Sequence, residues 1–448
     1  MNNNNTATVI GTGYVGVTTA AILANAGYKV YAVDVSDERL QALREGRSFF
    51  YEEGLNPLIA KAVKDGNLIP TLSYEESVPD SSFIFSCVGT PDNPDGSSNL
   101  TYIFAAAEEA AKYIKSDSVY IQKSTVPVGT GKKVMKAFRG KDVAYVSNPE
   151  FLREGTALFD TLYFDRIVVG GGDKGAVGKV LDLYREVEKN RDEIANLGGI
   201  KTADTKGSYI ATGLDSAELI KVTANAFLAL KISFANSIAK LADQTDADVI
   251  EVMDAVGADG RIGRSFLNAG RGYGGGCFPK DVSGLISSSL EHGVDMPIML
   301  AATEINESMP GYIVEKAEKA LGGIEDRKVA VLGLAFKAGT SDARKSPGIR
   351  LANSLQGQGA NVFVFDPQAN GEARETLEQS IKIAESSDEA VTGADAVFIA
   401  TDWDEFKNMD FNKLAGSMNG DLLVDCMNCI DASAVTNAGL HYVGVGRS

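Results

Sequence analysis

A cysteine in a glycine-rich segment has the surroundings that most favour chemistry. Cys277 follows three glycines in the segment G-G-G-C-F-P-K-D, residues 274–281. The glycines add little bulk that could shield the thiol, and the positive charge of Lys280 nearby lowers a thiol pKa. A thiolate can add to an aldehyde and then carry the acyl group as a thioester. Asp281 could orient or deprotonate the water that releases that group. An isolated cysteine is more often a small buried apolar residue, but these neighbours favour a nucleophile.

A second motif, G-T-G-Y-V-G at residues 11–16, favours dinucleotide binding. It lies between a predicted strand and a predicted helix, and Asp34 ends the next predicted strand. Asp34 should accept a hydrogen bond from a ribose 2′-OH and repel a 2′-phosphate, so we expect NAD rather than NADP. Arg39 could flank the adenosine or be solvated surface. The expected backbone contacts to the cofactor are Gly11 for the tight turn, Gly13 for close approach, Tyr14, Val15, and Gly16 for helix packing.

Two further polar sets could take part in catalysis. Lys221 and Asn225 lie four residues apart on a predicted apolar helix, so they share one face. They could stabilise an oxyanion together, or Lys221 could extend its ammonium group to solvent. Thr125 follows a predicted strand, and Glu150 and Glu154 are spaced for one helical face. A hydroxyl and a carboxylate could hold a catalytic water, although a surface pair of carboxylates is the alternative.

Cations in loops form a fifth set, and the other cysteines do not form a metal site. Arg261, Lys337 and Arg344 lie beside glycines or at strand ends. They could contact phosphate, and each could equally be a solvated charge. The pair Cys426 and Cys429 has no second ligand pair, and the chain has 2 histidines, so we predict no metal.

Strand-like and helix-like segments alternate in two regions, which predicts an α/β fold with two doubly wound, Rossmann-like parallel sheets. Between them, residues 216–243 contain neither Pro nor Gly and are apolar on most faces. We predict a long, buried central helix that also forms a dimer surface, with Asp215 and Glu218 as its capping box. Residues 179–201 are predicted to be a connection or insertion, and residues 206–211 to be irregular. The predicted strands are Thr6–Ile10, Lys29–Val33, Ser82–Val88, Ser118–Gln122, Val143–Ser147, Arg166–Val169, Val329–Leu332, Asn361–Phe365, Ala396–Ala400 and Leu422–Asp425.

Composition excludes several classes of protein. The 448 residues suggest about three domains. A net charge of −17 argues against nucleic acid or an anionic membrane as the main partner. No run reaches the roughly 18 apolar residues of a membrane span, and the first residues lack the pattern of a secretory signal. Four cysteines do not make a disulfide framework, so we expect a reduced, cytoplasmic protein.

Taken together, the motifs resemble those of the UDP-glucose/GDP-mannose dehydrogenase family over almost the whole chain. The resemblance implies four-electron oxidation of a nucleotide sugar's C6 alcohol with two NAD. It also implies an NAD-binding Rossmann domain at residues 1–205, a central helical and dimerisation domain at 206–310, and a Rossmann-like nucleotide-sugar domain at 311–448. The motifs that carry it are G-T-G-Y-V-G (11–16), C-V-G-T-P (87–91), K-S-T-V-P-V-G-T-G (123–131), N-P-E-F-L-R-E-G (148–155), A-E-L-I-K-V-T-A-N-A-F-L-A-L-K-I-S-F (217–234), D-G-R-I-G (259–263), G-Y-G-G-G-C-F-P-K-D (272–281) and G-L-A-F-K-A-G-T-S-D-A-R-K-S-P (333–347).

The resemblance implies a role for individual residues. The catalytic set comprises the nucleophile Cys277, the oxyanion pair Lys221 and Asn225, the hydrolytic group Asp281, and the water-holding pair Thr125 and Glu154. The implied NAD contacts are Asp34, Thr90, Thr125, Glu154, Lys280 and Arg344. The implied sugar-nucleotide contacts are Glu150, Phe151, Leu152, Arg153, Glu154, Lys221, Asn225, Phe266, Leu267, Asn268, Ala269, Gly270, Gly274 and Lys337. Arg261 resembles an arginine that reaches a neighbouring subunit's substrate, which implies a homodimer.

The chain departs from the family pattern without losing a catalytic group. Phe164, Gly276, Ser237 and Arg39 replace the usual Pro, Ser, Glu and Lys, and residues 187–210 look like an insertion. The segments G-R-G-Y-G-G-G-C and F-F-Y-E-E-G-L look more like the UDP-glucose branch than the GDP-mannose branch, which predicts UDP-glucose as substrate. GDP-mannose or another nucleotide sugar is the alternative substrate. A two-electron dehydrogenase and a non-catalytic nucleotide-sugar sensor are the alternative functions.

Overall fold

The protein, described by a computed structural model over residues 5–447, divides into two compact units between Ala224 and Asn225. Each unit contains a sheet with helices, so the prediction of two α/β lobes is confirmed. The first unit has an eight-stranded sheet within the described residues, and the second has a six-stranded one. Their carboxyl edges position most of the residues singled out above.

The first sheet has the order β3-β2-β1-β4-β5-β6-β7-β8. Every neighbouring pair is parallel except β6 and β7, which are antiparallel. Central strands such as β1 and β4 are buried on both faces, which explains their nearly continuous apolar sequences. The strands are β1 Thr6–Ile10, β2 Lys29–Val33, β3 Leu68–Thr71, β4 Phe83–Ser86, β5 Val119–Gln122, β6 Ala144–Ser147, β7 Arg166–Gly171 and β8 Ser208–Thr212.

The helices of the first unit connect these strands, and a 3₁₀ turn covers Met135–Phe138. They are α1 Tyr14–Asn25, α2 Asp37–Arg44, α3 Leu55–Lys64, α4 Tyr74–Ser77, α5 Thr101–Tyr113, α6 Thr130–Val134, α7 Ala157–Leu162, α8 Lys174–Lys189 and α9 Arg191–Leu197. Helix α10, Leu214–Ala242, begins in the first unit and ends in the second.

The second sheet is parallel throughout, with the order β11-β10-β9-β12-β13-β14. Its strands are β9 Lys328–Leu332, β10 Asn361–Phe365, β11 Lys382–Ile383, β12 Ala396–Ile399, β13 Leu422–Asp425 and β14 His441–Gly444. The helices that follow α10 are α11 Val249–Gly257, α12 Phe278–Glu291, α13 Pro297–Leu321, α14 Pro347–Gly357, α15 Asn370–Ala373, α16 Ser387–Val391, α17 Asp404–Lys407, α18 Phe411–Ser417 and α19 Ala432–Asn437.

Helix α10 has the predicted length but is not buried on all sides. Phe227, Phe234 and Leu241 recur every seven residues and are 59%, 48% and 61% exposed. The prediction of a buried helix is therefore wrong for this stripe, which faces outward in the single chain, and the dimer surface stays a prediction. By length and composition α10 is apolar enough to cross a membrane, with 44% of its apolar window buried inside the protein. The core helix of a soluble protein passes the same test.

The segment predicted to be a connection has regular structure. Helix α8 buries Val180, Leu183 and Val187 at helical spacing, so its many charges occupy only the outer face. Helix α9 follows, and most of residues 206–211, predicted to be irregular, belong to β8 at the edge of the sheet. Edge strands expose one side and do not show a continuous apolar run, which is why the sequence pattern missed β8.

The predicted capping box at the start of α10 is also wrong. Glu218 does not bond its own helix terminus; its carboxylate accepts hydrogen bonds from Gly129 and Gly131, in a distant loop. Asp215 forms an ion pair with Lys132. A capping-box spacing cannot distinguish a local bond from a tertiary one, because both place a carboxylate in the first turn of a helix.

Candidate functional site

The glycine motif after β1 has the geometry of an open anion site. Gly11 has φ +91°, and a Cβ there would lie 2.8 Å from the Cys87 carbonyl oxygen. A Cβ at Gly16 would lie 1.8 Å from the Gly11 carbonyl oxygen, so helix and turn pack closely. No heavy atom lies within 4 Å of a Cβ built at Gly13, and no side chain caps the N-terminus of α1. The exposed N–H groups and the space above Gly13 fit a cofactor pyrophosphate.

Asp34 lies at the end of β2 and is bonded to the same loop. Its Oδ2 atom accepts from Thr12 N at 2.7 Å and Thr12 Oγ1 at 2.6 Å, and its Oδ1 accepts from Ser36 N at 3.0 Å. Burial would raise the pKa of Asp34, but these hydrogen bonds outweigh it and hold the pKa below its ordinary value. The distance from a guanidinium nitrogen of Arg39 to Asp34 Oδ2 is 3.9 Å, and the guanidinium lies over the ring of Phe49. Asp34 therefore stays ionised beside the expected ribose position.

The loop after β5 carries Thr125 and is tied at both ends. Thr90 Oγ1 donates to the Thr125 carbonyl at 3.0 Å, and Ser124 Oγ donates to the Val88 carbonyl at 2.6 Å. Glu218 holds the far end through Gly129 and Gly131. The structure thus brings Thr90 and Thr125, two predicted cofactor contacts, together at the carboxyl edges of β4 and β5.

Glu150 and Lys221 form a buried ion pair in the first unit. The distance from Lys221 Nζ to Glu150 Oε1 is 3.1 Å, and both side chains are less than 10% exposed. The ammonium group also lies 5.3 Å from the ring centroid of Phe151. Glu150 Oε2 accepts from Leu152 N at 2.7 Å, which fixes the turn after β6. The pair excludes the alternatives of a solvent-directed Lys221 and a surface carboxylate at Glu150.

Glu154 is buried near that turn, and a residue that the sequence analysis missed accepts hydrogen bonds from the backbone that follows it. Glu52, itself 6% exposed, accepts from Gly155 N at 2.7 Å and from Leu158 N at 3.4 Å. Arg153 does not enter this network, because its guanidinium pairs with Asp160. The signal in the sequence was an acidic residue directly after the aromatic run of F-F-Y-E-E-G-L.

Cys277 is exposed and forms the N-cap of α12. A helix N-terminus favours the thiolate form. The preceding glycines serve close packing more than they serve thiol access. A Cβ at Gly275 would meet the Phe336 ring at 2.8 Å, and one at Gly276 would meet the Arg344 guanidinium at 2.5 Å. Gly276, where the family usually has serine, therefore makes room for the Arg344 guanidinium.

Asp281 lies one turn after Cys277 and is bonded to two cationic or amide groups. Asn225 Nδ2 donates to Asp281 Oδ2 at 2.6 Å, and Lys280 Nζ lies 2.8 Å from Asp281 Oδ1. Asp281 N in turn donates to the Cys277 carbonyl at 2.8 Å. Asn225 is therefore paired with the carboxylate of its own unit, whereas Lys221 is paired with Glu150. These two contacts leave the joint role of Lys221 and Asn225 as an oxyanion pair a prediction.

The predicted substrate loop Phe266–Gly270 lies against the carboxyl edge of the second sheet. Phe266 has φ +67°, a conformation that costs energy in a residue with a side chain. Gly270 N donates to Asn236 Oδ1 at 2.8 Å, and the Ala269 carbonyl accepts from Asn428 at 3.3 Å. A Cβ at Gly270 would lie 2.7 Å from the Cys426 carbonyl oxygen, which explains the glycine. Leu267 is buried beside it.

Arg271 and Lys123 are wholly buried cations that the sequence analysis passed over. Arg271 donates to the Phe336 carbonyl at 2.9 Å, and burial lowers its pKa to about 10. Lys123 Nζ donates to Tyr184 at 2.9 Å and to Asn148 at 3.3 Å. Both residues lie inside motifs that the sequence analysis identified. A cation at an otherwise apolar position of such a motif was the feature that could have identified them.

The remaining predicted cations are at the surface or in loops. Arg261 is 90% exposed at its side chain and pairs with Asp259. Arg344 pairs with Asp342, and Lys337 lies 6.0 Å from the Phe336 ring centroid. No group of three or more His, Cys, Asp or Glu side chains within residues 5–447 is arranged to hold a metal ion.

Comparison with known proteins gives the family. Three domain descriptions of the UDP-glucose/GDP-mannose dehydrogenase family match: the NAD binding domain at residues 5–188, the central domain at 215–308 and the UDP binding domain at 330–432. A UDP-glucose 6-dehydrogenase of Bacillus subtilis is 38% identical over 447 residues, covering 98% of this chain and 97% of the relative. One from Rhizobium meliloti is 39% identical over 448 residues, covering 98% and 99%.

A solved structure has the same fold. The UDP-glucose dehydrogenase of Pyrobaculum islandicum superposes with a TM-score of 0.88 at 37% identity, covering 99% of this chain and 98% of that one. The NAD-binding motif, the open space above Gly13 and the matched NAD binding domain agree on the cofactor. The chain belongs to the UDP-glucose/GDP-mannose dehydrogenase family.

Proposed function

We propose that the protein oxidises the C6 hydroxyl of UDP-glucose to a carboxylate, forming UDP-glucuronate and consuming two NAD and one water per sugar. The observation that carries the proposal is the exposed Cys277 thiol at the N-terminus of α12, followed one turn later by the buried Asp281. In a dehydrogenase, a thiol nucleophile captures an aldehyde for further oxidation, and a carboxylate one turn away can activate the water that releases the acyl group. The full-length relatives named UDP-glucose 6-dehydrogenases support the choice of sugar.

NAD, when bound, supplies the hydride acceptor for both oxidations. In the first, Thr125 and Glu154 hold the water that takes the C6 hydroxyl proton as hydride leaves the carbon. Lys221 supplies positive charge, and Glu150 fixes the position of its ammonium group. An oppositely charged neighbour lowers the energy of developing negative charge on oxygen. The product of this step is an aldehyde that stays bound.

In the second oxidation the Cys277 sulfur adds to the aldehyde carbon, giving a thiohemiacetal. Loss of hydride from that carbon leaves a thioester, and Asn225 stabilises the oxyanions on either side of this step. Water then adds to the thioester carbon, Asp281 takes the proton, and the thiolate leaves. The hydrogen bond from Asn225 and the ion pair with Lys280 hold Asp281 in place for that role.

The nucleotide contacts and the assembly complete the proposal. The loop Phe266–Gly270, Gly274 and Lys337 bind the nucleotide sugar, with Arg344 and Lys280 next to the cofactor phosphates.

The outward stripe of Phe227, Phe234 and Leu241 on α10 packs against a second copy of the chain, because a heptad-spaced apolar stripe on a soluble helix needs a partner. Arg261, exposed and held by Asp259, reaches the neighbouring site. Free cysteines and the acidic charge favour the cytoplasm.

An NADH assay tests the substrate and the stoichiometry together. Purified protein is given UDP-glucose, UDP-N-acetylglucosamine, UDP-galactose and GDP-mannose, and NADH is followed to completion. The proposal expects UDP-glucose to react fastest and to yield two NADH for each sugar consumed. One NADH per sugar would contradict the four-electron reaction, and faster turnover of GDP-mannose would give the alternative substrate.

The dimer has a separate test. Phe234→Asp places a charge in the middle of the stripe and should convert a dimer to monomers in sedimentation velocity. Thr436→Asp, at an exposed position on α19, provides a control for an added charge outside the stripe. A wild-type monomer at micromolar concentration would contradict the assembly.

A further inference from the structure

We propose that Glu218 is a positioning residue for the first oxidation, holding the loop that carries Thr125 at a fixed place relative to the helix that carries Lys221. The inference rests on the proposed function for the roles of Thr125 and Lys221. It assigns a task to a buried carboxylate that the reaction itself does not use.

Both oxygens of Glu218 accept hydrogen bonds from the loop between β5 and α6. Gly129 N donates to Oε2 and Gly131 N donates to Oε1, each at 2.7 Å. The donors lie 89 and 87 residues away in sequence, so the contact is tertiary. Glu218 is 2% exposed, and water therefore cannot replace the lost bonds easily.

The surroundings leave the loop no second place to attach. A Cβ at Gly131 would lie 2.7 Å from Tyr145, 2.9 Å from Leu214 and 3.0 Å from Glu218 itself. The other end of the loop is fixed through Thr125 and Ser124, as described above. Glu218 thus closes the loop onto α10, three residues before Lys221. Loss of this contact would leave the loop held only at its Thr125 end, so the Thr125 hydroxyl would be positioned less firmly although no group that touches substrate is removed.

The charge on Glu218 controls the attachment. Burial raises its pKa to about 7, although the two backbone N–H groups act in the opposite direction. Asp215 on the same helix raises it and Lys132 on α6 lowers it, while the phenol of Tyr145 on β6 faces the same carboxylate. A carboxylate accepts both N–H bonds, whereas the protonated acid turns one oxygen into a donor. The loop is therefore held at both glycines above neutrality and at one glycine below it.

Ionisation of Glu218 favours positioning of the loop but lowers folding stability. Because the folded-state pKa of Glu218 lies above its unfolded value, ionisation costs folding stability, and that cost grows as pH rises from the unfolded value through about 7. A residue that serves only stability would gain from staying neutral. Glu218→Gln keeps the shape, removes the charge and mimics the protonated form.

The test compares wild type with Glu218→Gln across pH 6–9. We expect the kcat of the variant with UDP-glucose to fall about tenfold at pH 8.5, because misplacement by a fraction of an ångström slows proton transfer. The KM for the sugar should change less than about twofold, since no sugar contact is altered. The wild-type step in kcat near pH 7 should disappear, and the melting temperature at pH 8.5 should not fall.

Asp215→Asn is the matched control, because Asp215 lies on the same turn and bonds neither glycine. It should move the wild-type step to lower pH and leave the kcat plateau at high pH unchanged. A Glu218→Gln melting temperature that falls together with kcat would overturn the proposal, since that result indicates a structural role. An unchanged wild-type step in the variant would overturn it as well.

Amide hydrogen exchange separates this inference from the proposed function. At pH 8, peptides covering residues 124–131 should exchange faster in Glu218→Gln than in wild type, whatever the substrate. Faster exchange in Glu218→Gln together with an inactive wild type would contradict the proposed function and support the positioning role of Glu218. If exchange in Glu218→Gln is unchanged while the wild-type enzyme is active, only the positioning role of Glu218 is overturned.

Discussion

Replacing Asp34 with asparagine should remove the preference for NAD over NADP while leaving the turn around it intact. The amide oxygen of asparagine can still accept from Thr12, which now donates twice to the carboxylate. The charge is lost, together with the hydrogen bond that Ser36 N donates to Oδ1. Because hydrogen bonds hold the pKa of Asp34 below its ordinary value, the wild-type residue is fully ionised in any neutral assay.

The size of the effect follows from the charge. A carboxylate about 5 Å from a phosphate, at an effective dielectric constant of about 20, is repelled by about 3 kcal/mol for each unit of phosphate charge. Since about 1.4 kcal/mol is a factor of ten, Asp34 alone should favour NAD by at least about a hundredfold. Arg39, 3.9 Å from Asp34, supplies a cation that a 2′-phosphate could use once the carboxylate is gone.

The assay is the ratio of kcat/KM for NAD to that for NADP at saturating UDP-glucose. Asp34→Asn should lower this ratio by at least about a hundredfold, mostly by losing the repulsion of NADP. Asp37→Asn is the matched control: it removes the same charge three residues away, from a side chain that is 70% exposed. An unchanged ratio in Asp34→Asn, or an equal change in Asp37→Asn, would refute the placement of Asp34 at the ribose.

Three further outcomes are expected. Lys221→Met should lower the free energy of unfolding by about 3–5 kcal/mol in chemical denaturation, because Glu150 keeps a buried charge without its partner. Adding Glu150→Gln should recover part of the loss. If the two changes in unfolding free energy simply add, that result would argue against the ion pair. Arg271→Met should cost about 3 kcal/mol in the same measurement, and Arg271→Lys should restore less than half, since one ammonium group cannot replace a planar guanidinium; full recovery in the lysine variant would count against the hydrogen-bond geometry. The stability that Asp34 provides is present above its unfolded pKa and is lost as pH falls through its lower folded pKa. The difference in unfolding free energy between wild type and Asp34→Asn should therefore shrink below about pH 4, and a difference that grows in acid would contradict the sign of the shift.

The central strands were predictable because parallel sheets give short, β-branched, continuously apolar runs. Lys29–Val33, Asn361–Phe365 and Leu422–Asp425 match the observed strands to the residue. The strands that the sequence analysis missed, β3, β8, β11 and β14, are the outermost strands of the two sheets. Edge strands are shorter or half exposed, so they lack the pattern that identifies their neighbours.

Tertiary contacts account for the other differences. The spacing of Asp215 and Glu218 suits a helix cap, but the structure uses Glu218 to hold a loop more than 80 residues away. The apolar residues of α10 indicated burial, yet Phe227 and Phe234 face outward. Sequence periodicity shows that a face is apolar and does not show what covers it.

The chemistry-bearing residues were predictable by type, whereas their pairing was not. Lys221 and Asn225 share a helix face, which suggested one joint role. The structure adds an ion pair between Lys221 and Glu150 and a hydrogen bond from Asn225 to Asp281, and each of these contacts joins distant parts of the chain. Spacing along a helix specifies a direction, and only the fold specifies the partner.

The four-electron reaction depends most on Cys277 as the nucleophile of the second oxidation, and one variant tests this role directly. Cys277→Ala removes the thiol and little volume from an exposed position, so fold and cofactor binding should persist. Cys429→Ala, at the other partly exposed cysteine, is the control and should behave as wild type. Purified variant is given the C6 aldehyde of UDP-glucose with NAD in one tube and with NADH in another. The account predicts almost no sugar acid in the first tube and reduction of the aldehyde to UDP-glucose in the second; acid formation near the wild-type rate would contradict the thioester route.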